Sequence, residues 1–224
     1  MIDFAQVAAM QIPEGDVAEI AIGGATAWSA EKWDVTWTYN GELPDWTEWD
    51  YADDTRVFFV DGEKSAAKLV SAAYGDAKNI RPRLKTGMLY GEKAVFEIGF
   101  LFTEETHGRY ALFNLGGGLD VQMQCLVTPN ESEKNRLTVL FCDETGEATT
   151  RDFLISRNHW HTLRLELNAH ESNTGNNFLL DGETLLSIYK YQLKTPGYEG
   201  AQISVNGASI WLRKMRYLGL VKNE

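Results

Sequence analysis

Phe96, Ile98, Phe100 and Phe102 stand at every second position of one run, with Glu97, Gly99 and Leu101 between them. A strand turns successive side chains to opposite faces, so this run is a strand with one face in a core. Helical spacing would scatter the same four side chains around an axis. Leu163, Leu165 and Leu167 repeat the pattern, with Arg164 and Glu166 opposite. Strands buried on one side only need a second layer, and two packed antiparallel sheets supply it.

From Trp33 onward the chain reads as strand after strand: 35–39, 55–60, 94–102, 109–115, 119–127, 136–142, 149–155, 160–168, 177–181, 183–189, 201–205 and 209–221. Turn dipeptides separate them, among them Asn40-Gly41, Asp61-Gly62, Tyr90-Gly91, Thr145-Gly146, Asp181-Gly182 and Asn206-Gly207. Residues 65–74 carry helix-compatible alanines and read equally well as a strand at a sheet edge. Many short strands with regular turns define an all-β sandwich, jelly roll or barrel. Residues 1–30 are compositionally distinct, rich in Ala and Gly. Residues 4–10 suit one or two helical turns, and 18–22 and 25–28 suit a small hairpin about Gly23-Gly24. The expected organisation is an N-terminal arm or attachment segment over 1–30 and a sandwich over 31–224.

The chain is 224 residues long, 44% hydrophobic, and carries a net charge of −11. That length and composition supply a sizeable core. The charge argues against nucleic acid, because tracking phosphates needs clustered Lys and Arg; Arg81, Arg83 and Lys85 are the nearest approach to a cluster. No apolar stretch is long enough to span a membrane as a helix. Met1–Gln6 lacks the basic and apolar regions of a signal peptide, so synthesis in a cytoplasm is expected, with assembly into a virus particle as a route out. Strand parity points Cys125 inward and Cys142 outward, and no disulfide is expected.

Several phrases in order resemble the concanavalin A-like lectin/glucanase superfamily, which includes laminin G-like and laminarinase-like members. They are Gly41-Glu42-Leu43-Pro44-Asp45-Trp46, then Val57–Glu63 with its Asp-Gly turn, and Ala94–Phe100. His159–Glu166, Asp181-Gly182-Glu183 and Ile210–Tyr217 follow. The resemblance covers roughly residues 33–221. It implies a jelly roll of two curved antiparallel sheets, with ligands on the concave face or at loop tips. In the glucanase members that face carries an acid-x-acid-x-acid strand. Asp120, Gln122 and Gln124 fall where that strand is expected, with Val121, Met123, Cys125 and Val127 on the opposite, core-facing side. Amides bind sugar hydroxyls but neither attack a sugar nor donate a proton at neutral pH. A second, nine-residue phrase, Ile20–Trp28, resembles a short module of phage structural proteins.

Among other candidate residues, Trp46, Trp49 and Tyr51 fall in a predicted loop, where they either stack on sugar rings or plug one end of the sandwich. Asp50, Asp53 and Asp54 read as a solvated acidic loop, with calcium as the alternative occupant and no other cofactor expected. His159 and His161 flank Trp160 on what reads as one strand face, and they read as surface histidines rather than a metal pair. Gly116-Gly117-Gly118 reads as a hairpin tip. The expected ligand-binding set is Trp46, Trp49, Asp120, Gln122, Gln124 and Trp211, with no catalytic residue and no metal.

The expected function is glycan recognition or structural adhesion by a non-catalytic lectin-like sandwich in a phage or prophage particle. A glycan or cell-surface polysaccharide would be the partner, together with other copies of the chain or other virion proteins, and neither nucleic acid nor membrane. The alternative is a divergent glycoside hydrolase or lyase using Asp120 and Glu97, with Glu97 turned to the same cleft. A third reading is a packing role with no ligand.

Overall fold

The structure, a computed structural model, describes residues 19–22, 25–29, 31–50, 55–71, 79–84, 88–89, 93–104, 109–116, 122–130, 133–142, 146–168, 175–189 and 201–221. Among these residues there is no helix, and every strand pair is antiparallel. Two large sheets form a sandwich. The seven-stranded sheet runs in the order Ala148–Ser156, Lys134–Cys142, Gln122–Pro129, Tyr110–Gly116, Ala201–Asn206, Asn79–Leu84, Thr47–Asp50. The nine-stranded sheet runs Glu183–Ile188, Asn176–Leu180, His161–Asn168, Lys93–Phe102, Ser209–Val221, Ala66–Ser71, Thr55–Val60; Glu31–Thr38 and Met88–Leu89 also pair with Ser209–Val221. Glu19–Ile22 and Ala25–Ser29 pair with each other as a separate two-stranded sheet. Residues 4–10, where the sequence suggests helical turns, lie outside the described residues.

The alternating strands meet in one core. Phe96, Ile98, Phe100 and Phe102 are buried there with Leu163, Leu165 and Leu167 from their own sheet. Phe113, Met123, Cys125, Val127, Val139 and Phe141 come from the facing sheet. The rings of Phe100 and Phe113 meet across the interface with centroids 5.0 Å apart. Each fully buried side chain of this size contributes about 1.5–3 kcal/mol. Asn135 enters the same interface as a polar tie: its side-chain amide donates to the Phe102 carbonyl at 3.1 Å, and it accepts from Arg157 at 3.4 Å. Cys125 is buried and Cys142 partly so, and both are free thiols. Burial pushes the Cys125 thiol well above its ordinary pKa, so it behaves as a small apolar side chain.

Two local devices set the geometry of the nine-stranded sheet. Asp181 and Gly182 both take positive φ, 53° and 87°, the two-residue turn whose twist matches a hairpin. The Ser209–Val221 strand has a bulge at Arg213, where its neighbour on one side changes from Ala66–Ser71 to Glu31–Thr38. The bulge puts both Arg213 and Lys214 on the outer side of the sheet, as their partners described below show.

Several local expectations change. Residues 65–74, left open between helix and edge strand, contain the strand Ala66–Ser71, which lies inside its sheet between Thr55–Val60 and Ser209–Val221. Trp49 is not in a loop: Thr47–Asp50 is an edge strand pairing with Asn79–Leu84, with Trp49 opposite Pro82. Neither strand has an apolar alternation, and a proline inside a run argues against a strand, so the pattern gave no signal.

Candidate functional site

The strand Gln122–Pro129 sits inside the seven-stranded sheet, between Tyr110–Gly116 and Lys134–Cys142. Met123, Cys125 and Val127 point into the core. Gln124, half-buried, is therefore on the outer face, in register with Asn114 on one side and Leu140 on the other. Asn114 is in turn opposite Gln202. The next outer row brings Leu126, Leu112 and Ser204 together; beyond it Tyr110 is opposite Asn206, and Thr128 is opposite Arg136. Register partners share a face and interact as pairs. The result is a face on which amides and hydroxyls alternate with Leu112, Leu126 and Leu140, with Asn114, Ser204 and Asn206 buried within it.

None of the residues of Tyr110–Gly116, Gln122–Pro129, Lys134–Cys142 or Ala201–Asn206 is an Asp or a Glu. In register with them, a carboxylate appears on the edge strand Ala148–Ser156, where Asp152 accepts a 2.6 Å hydrogen bond from the Thr138 hydroxyl. Much of the remaining polarity is internally paired. Gln202 donates to the Ser204 hydroxyl at 2.8 Å, Asn206 to the Tyr110 hydroxyl at 3.4 Å, and Asn114 to the Gly116 carbonyl at 3.0 Å. The Asn114 side-chain oxygen is buried and accepts no hydrogen bond among the described residues.

The expected binding residues do not gather at one place. Gln122 and Gln124 lie on this strand, though the Gln122 side chain, the Trp49 side chain and Asp120 as a whole lie outside the described residues. Asp53 and Asp54 lie outside them too. Trp46 is half-buried and packs against the main core. Trp211 belongs to the other sheet: its neighbours Ile210 and Leu212 point into the core, and it lies on the outer side with Ala66, Leu101 and Trp160. Among the described residues no group of three or more His, Cys, Asp or Glu side chains is placed to hold a metal.

Glu97 is corrected by the structure. It does not face the cleft of the Gln122–Pro129 strand; it is on the outer side of the opposite sheet, with the whole core between them. There it belongs to a polar chain that crosses five strands. Lys214 donates to Glu97 at 2.6 Å, and Arg164 donates to Glu97 at 3.3 Å and to Glu166 at 2.7 Å. Asn177 donates to Glu166 at 3.1 Å, and the Ser187 hydroxyl donates to Asn177 at 2.7 Å. Glu97, Thr162, Arg164, Glu166, Leu179 and Gly182 line a shallow groove of about 320 Å³ here. Burial alone would raise the Glu97 pKa, but Lys214 and Arg164 outweigh it and hold the carboxyl below its ordinary value. A carboxyl held ionised in this way is no general acid.

The histidines also differ from expectation. His161 is buried against Phe100 rather than exposed on a strand surface. Its Nδ1 is 2.7 Å from an Asp181 carboxylate oxygen and its Nε2 is 2.9 Å from the Ser156 carbonyl. Asp181 also accepts from the Thr162 backbone N–H at 2.7 Å. The hairpin tip is thus tied to the start of the neighbouring strand. His159 is exposed in the preceding turn.

No protein-family model matches the sequence, and no curated protein matches it. Solved structures do match the fold. The Emp47p carbohydrate recognition domain aligns over 83% of this chain and 94% of its own, with a TM-score of 0.55 and 13% identity. A Bacillus licheniformis β-glucanase aligns over 85% and 98%, with a TM-score of 0.54 and 12% identity. The Crh5 transglycosylase aligns over 83% and 84%, with a TM-score of 0.53 and 12% identity. Identities this low speak to the fold alone. The fold is a concanavalin A-like jelly-roll sandwich, as the ordered phrases of the sequence imply.

Proposed function

We propose that this protein is a non-catalytic carbohydrate-binding sandwich that engages its ligand on the outer face of the seven-stranded sheet. One observation carries the reading: that face carries Gln124, Asn114, Gln202, Ser204 and Thr128 on three adjacent strands, and neither those strands nor the neighbouring Lys134–Cys142 contains an Asp or a Glu. Amides and hydroxyls donate to and accept from sugar hydroxyls, whereas glycoside hydrolysis needs two positioned carboxyl groups. The matched structures support a carbohydrate theme, since their names include carbohydrate recognition domains, a transglycosylase and a β-glucanase. A narrower role in a phage particle, with residues 1–30 as an attachment arm, rests on the Ile20–Trp28 resemblance and on no other observation. The test is affinity electrophoresis in gels containing neutral β-glucans. Retardation of the wild type that disappears in a Gln124→Ala/Gln202→Ala double variant supports the reading. Retardation unchanged by the double variant refutes the location.

A further inference from the structure

The outer face of the nine-stranded sheet carries a second feature, at the end away from the Glu97 chain. The Lys64 ammonium sits 4.2 Å from the centroid of the Trp211 ring, and the Lys68 ammonium 5.0 Å from the same ring. The Arg213 guanidinium lies 4.4 Å from the Trp160 ring. Trp211 and Trp160 pack together with Leu101 and Ala66, so the three cations rim one aromatic floor. The bulge aims Arg213 here; a regular strand would not have put it beside Lys214 on the same side. Phe58 is 51% exposed and in register with Lys68, which is in register with Trp211. Phe58 and Trp211 are therefore two strand steps apart on one row, about 10 Å.

The charges are out of character for this molecule. The chain has 32 acidic residues against 21 basic ones. Elsewhere Arg109, Arg164, Lys214 and Arg216 are ion-paired. Lys64, Lys68 and Arg213 have no carboxylate within 4.0 Å among the described residues, although Asp61 and Glu63 are in the same turn as Lys64. Two ammonium groups share one indole, and among the described residues no carboxylate lies within 4.0 Å of either. An anion placed between the cations pairs with them, the indoles beneath hold the cations in place, and the neighbouring exposed Phe58 ring accepts the apolar face of a sugar.

We infer that this basic and aromatic patch is a second binding surface, for an acidic polysaccharide whose carboxylates pair with Lys64, Lys68 and Arg213 while a sugar ring lies on the exposed Phe58. The inference rests on the carbohydrate-binding reading and adds a ligand class and a separate location to it. The experiment measures binding of the full chain to alginate, to a neutral β-glucan and to inorganic polyphosphate at low and moderate salt. It compares the wild type with a Lys64→Gln/Lys68→Gln/Arg213→Gln variant whose circular dichroism and thermal midpoint match. The expected result is salt-sensitive alginate binding that weakens about tenfold or more in the variant, with neutral glucan binding unchanged. Neutral glucan binding without alginate binding overturns this inference and leaves the first reading standing. Alginate binding that the variant does not weaken overturns the location. Polyphosphate bound as tightly as alginate overturns the sugar-specific part. Binding of neither polysaccharide overturns both readings.

Discussion

Replacing Glu97 with Gln removes the charge at the centre of the polar chain on the nine-stranded sheet and separates a structural role from a catalytic one. Glu97 accepts from Lys214 at 2.6 Å and from Arg164 at 3.3 Å. Hydrogen bonds to charged groups are worth about 1.5–3 kcal/mol. The Lys214 side chain is 44% exposed, so solvent screens its contribution toward the lower end. Arg164 keeps its closer contact with Glu166 in the variant. The expected loss is about 1–2 kcal/mol, or about 2–8 °C in thermal midpoint for a chain of this size. The sign of the pH dependence follows from the lowered pKa of Glu97. The stabilisation is fully present above the unfolded carboxyl pKa of about 4.3 and is lost as pH falls through the lower folded value. Urea unfolding followed by tryptophan fluorescence at pH 7 and pH 3 measures both. A difference between wild type and variant that grows toward pH 3, or that stays below about 0.5 kcal/mol at pH 7, would refute the reasoning.

Two further outcomes are expected. Asp181→Ala removes the acceptor for Thr162 N–H and His161 and puts Ala at positive φ, so it should cost about 2–3 kcal/mol in chemical unfolding; Asp181→Asn, which tolerates that φ, should cost less. Deleting residues 1–30 should move the thermal midpoint of the sandwich by no more than about 2 °C in calorimetry, and a larger fall would make the segment part of the core.

The fold was legible because its core strands are simple. Phe96 to Phe102 and Leu163 to Leu167 alternate without interruption, and Asp181-Gly182 marks its turn by type. The strands that went unread, Thr47–Asp50 and Asn79–Leu84, are held by backbone pairing rather than by an apolar stripe, and Arg81-Pro82-Arg83 argues locally for a loop. The amide character of the proposed binding face could be read from Gln122 and Gln124. Asn114, Gln202 and Ser204 could not be assigned to it, because they join it only through pairing between strands distant in sequence. Glu97 was misjudged for the same reason. Parity places it on the outer face of its own strand but does not say which sheet that strand joins. His161 looked exposed because its partners, Asp181 and Ser156, come from two other elements of the chain.

The central claim is binding without hydrolysis. It is tested most directly by incubating the purified protein with a panel of β-glucans, then measuring retention on the polysaccharide and new reducing ends in the same samples. The account predicts retention of at least one polysaccharide with no reducing ends above the protein-free control. Reducing ends that accumulate with time and vanish in an Asp120→Asn variant would contradict it.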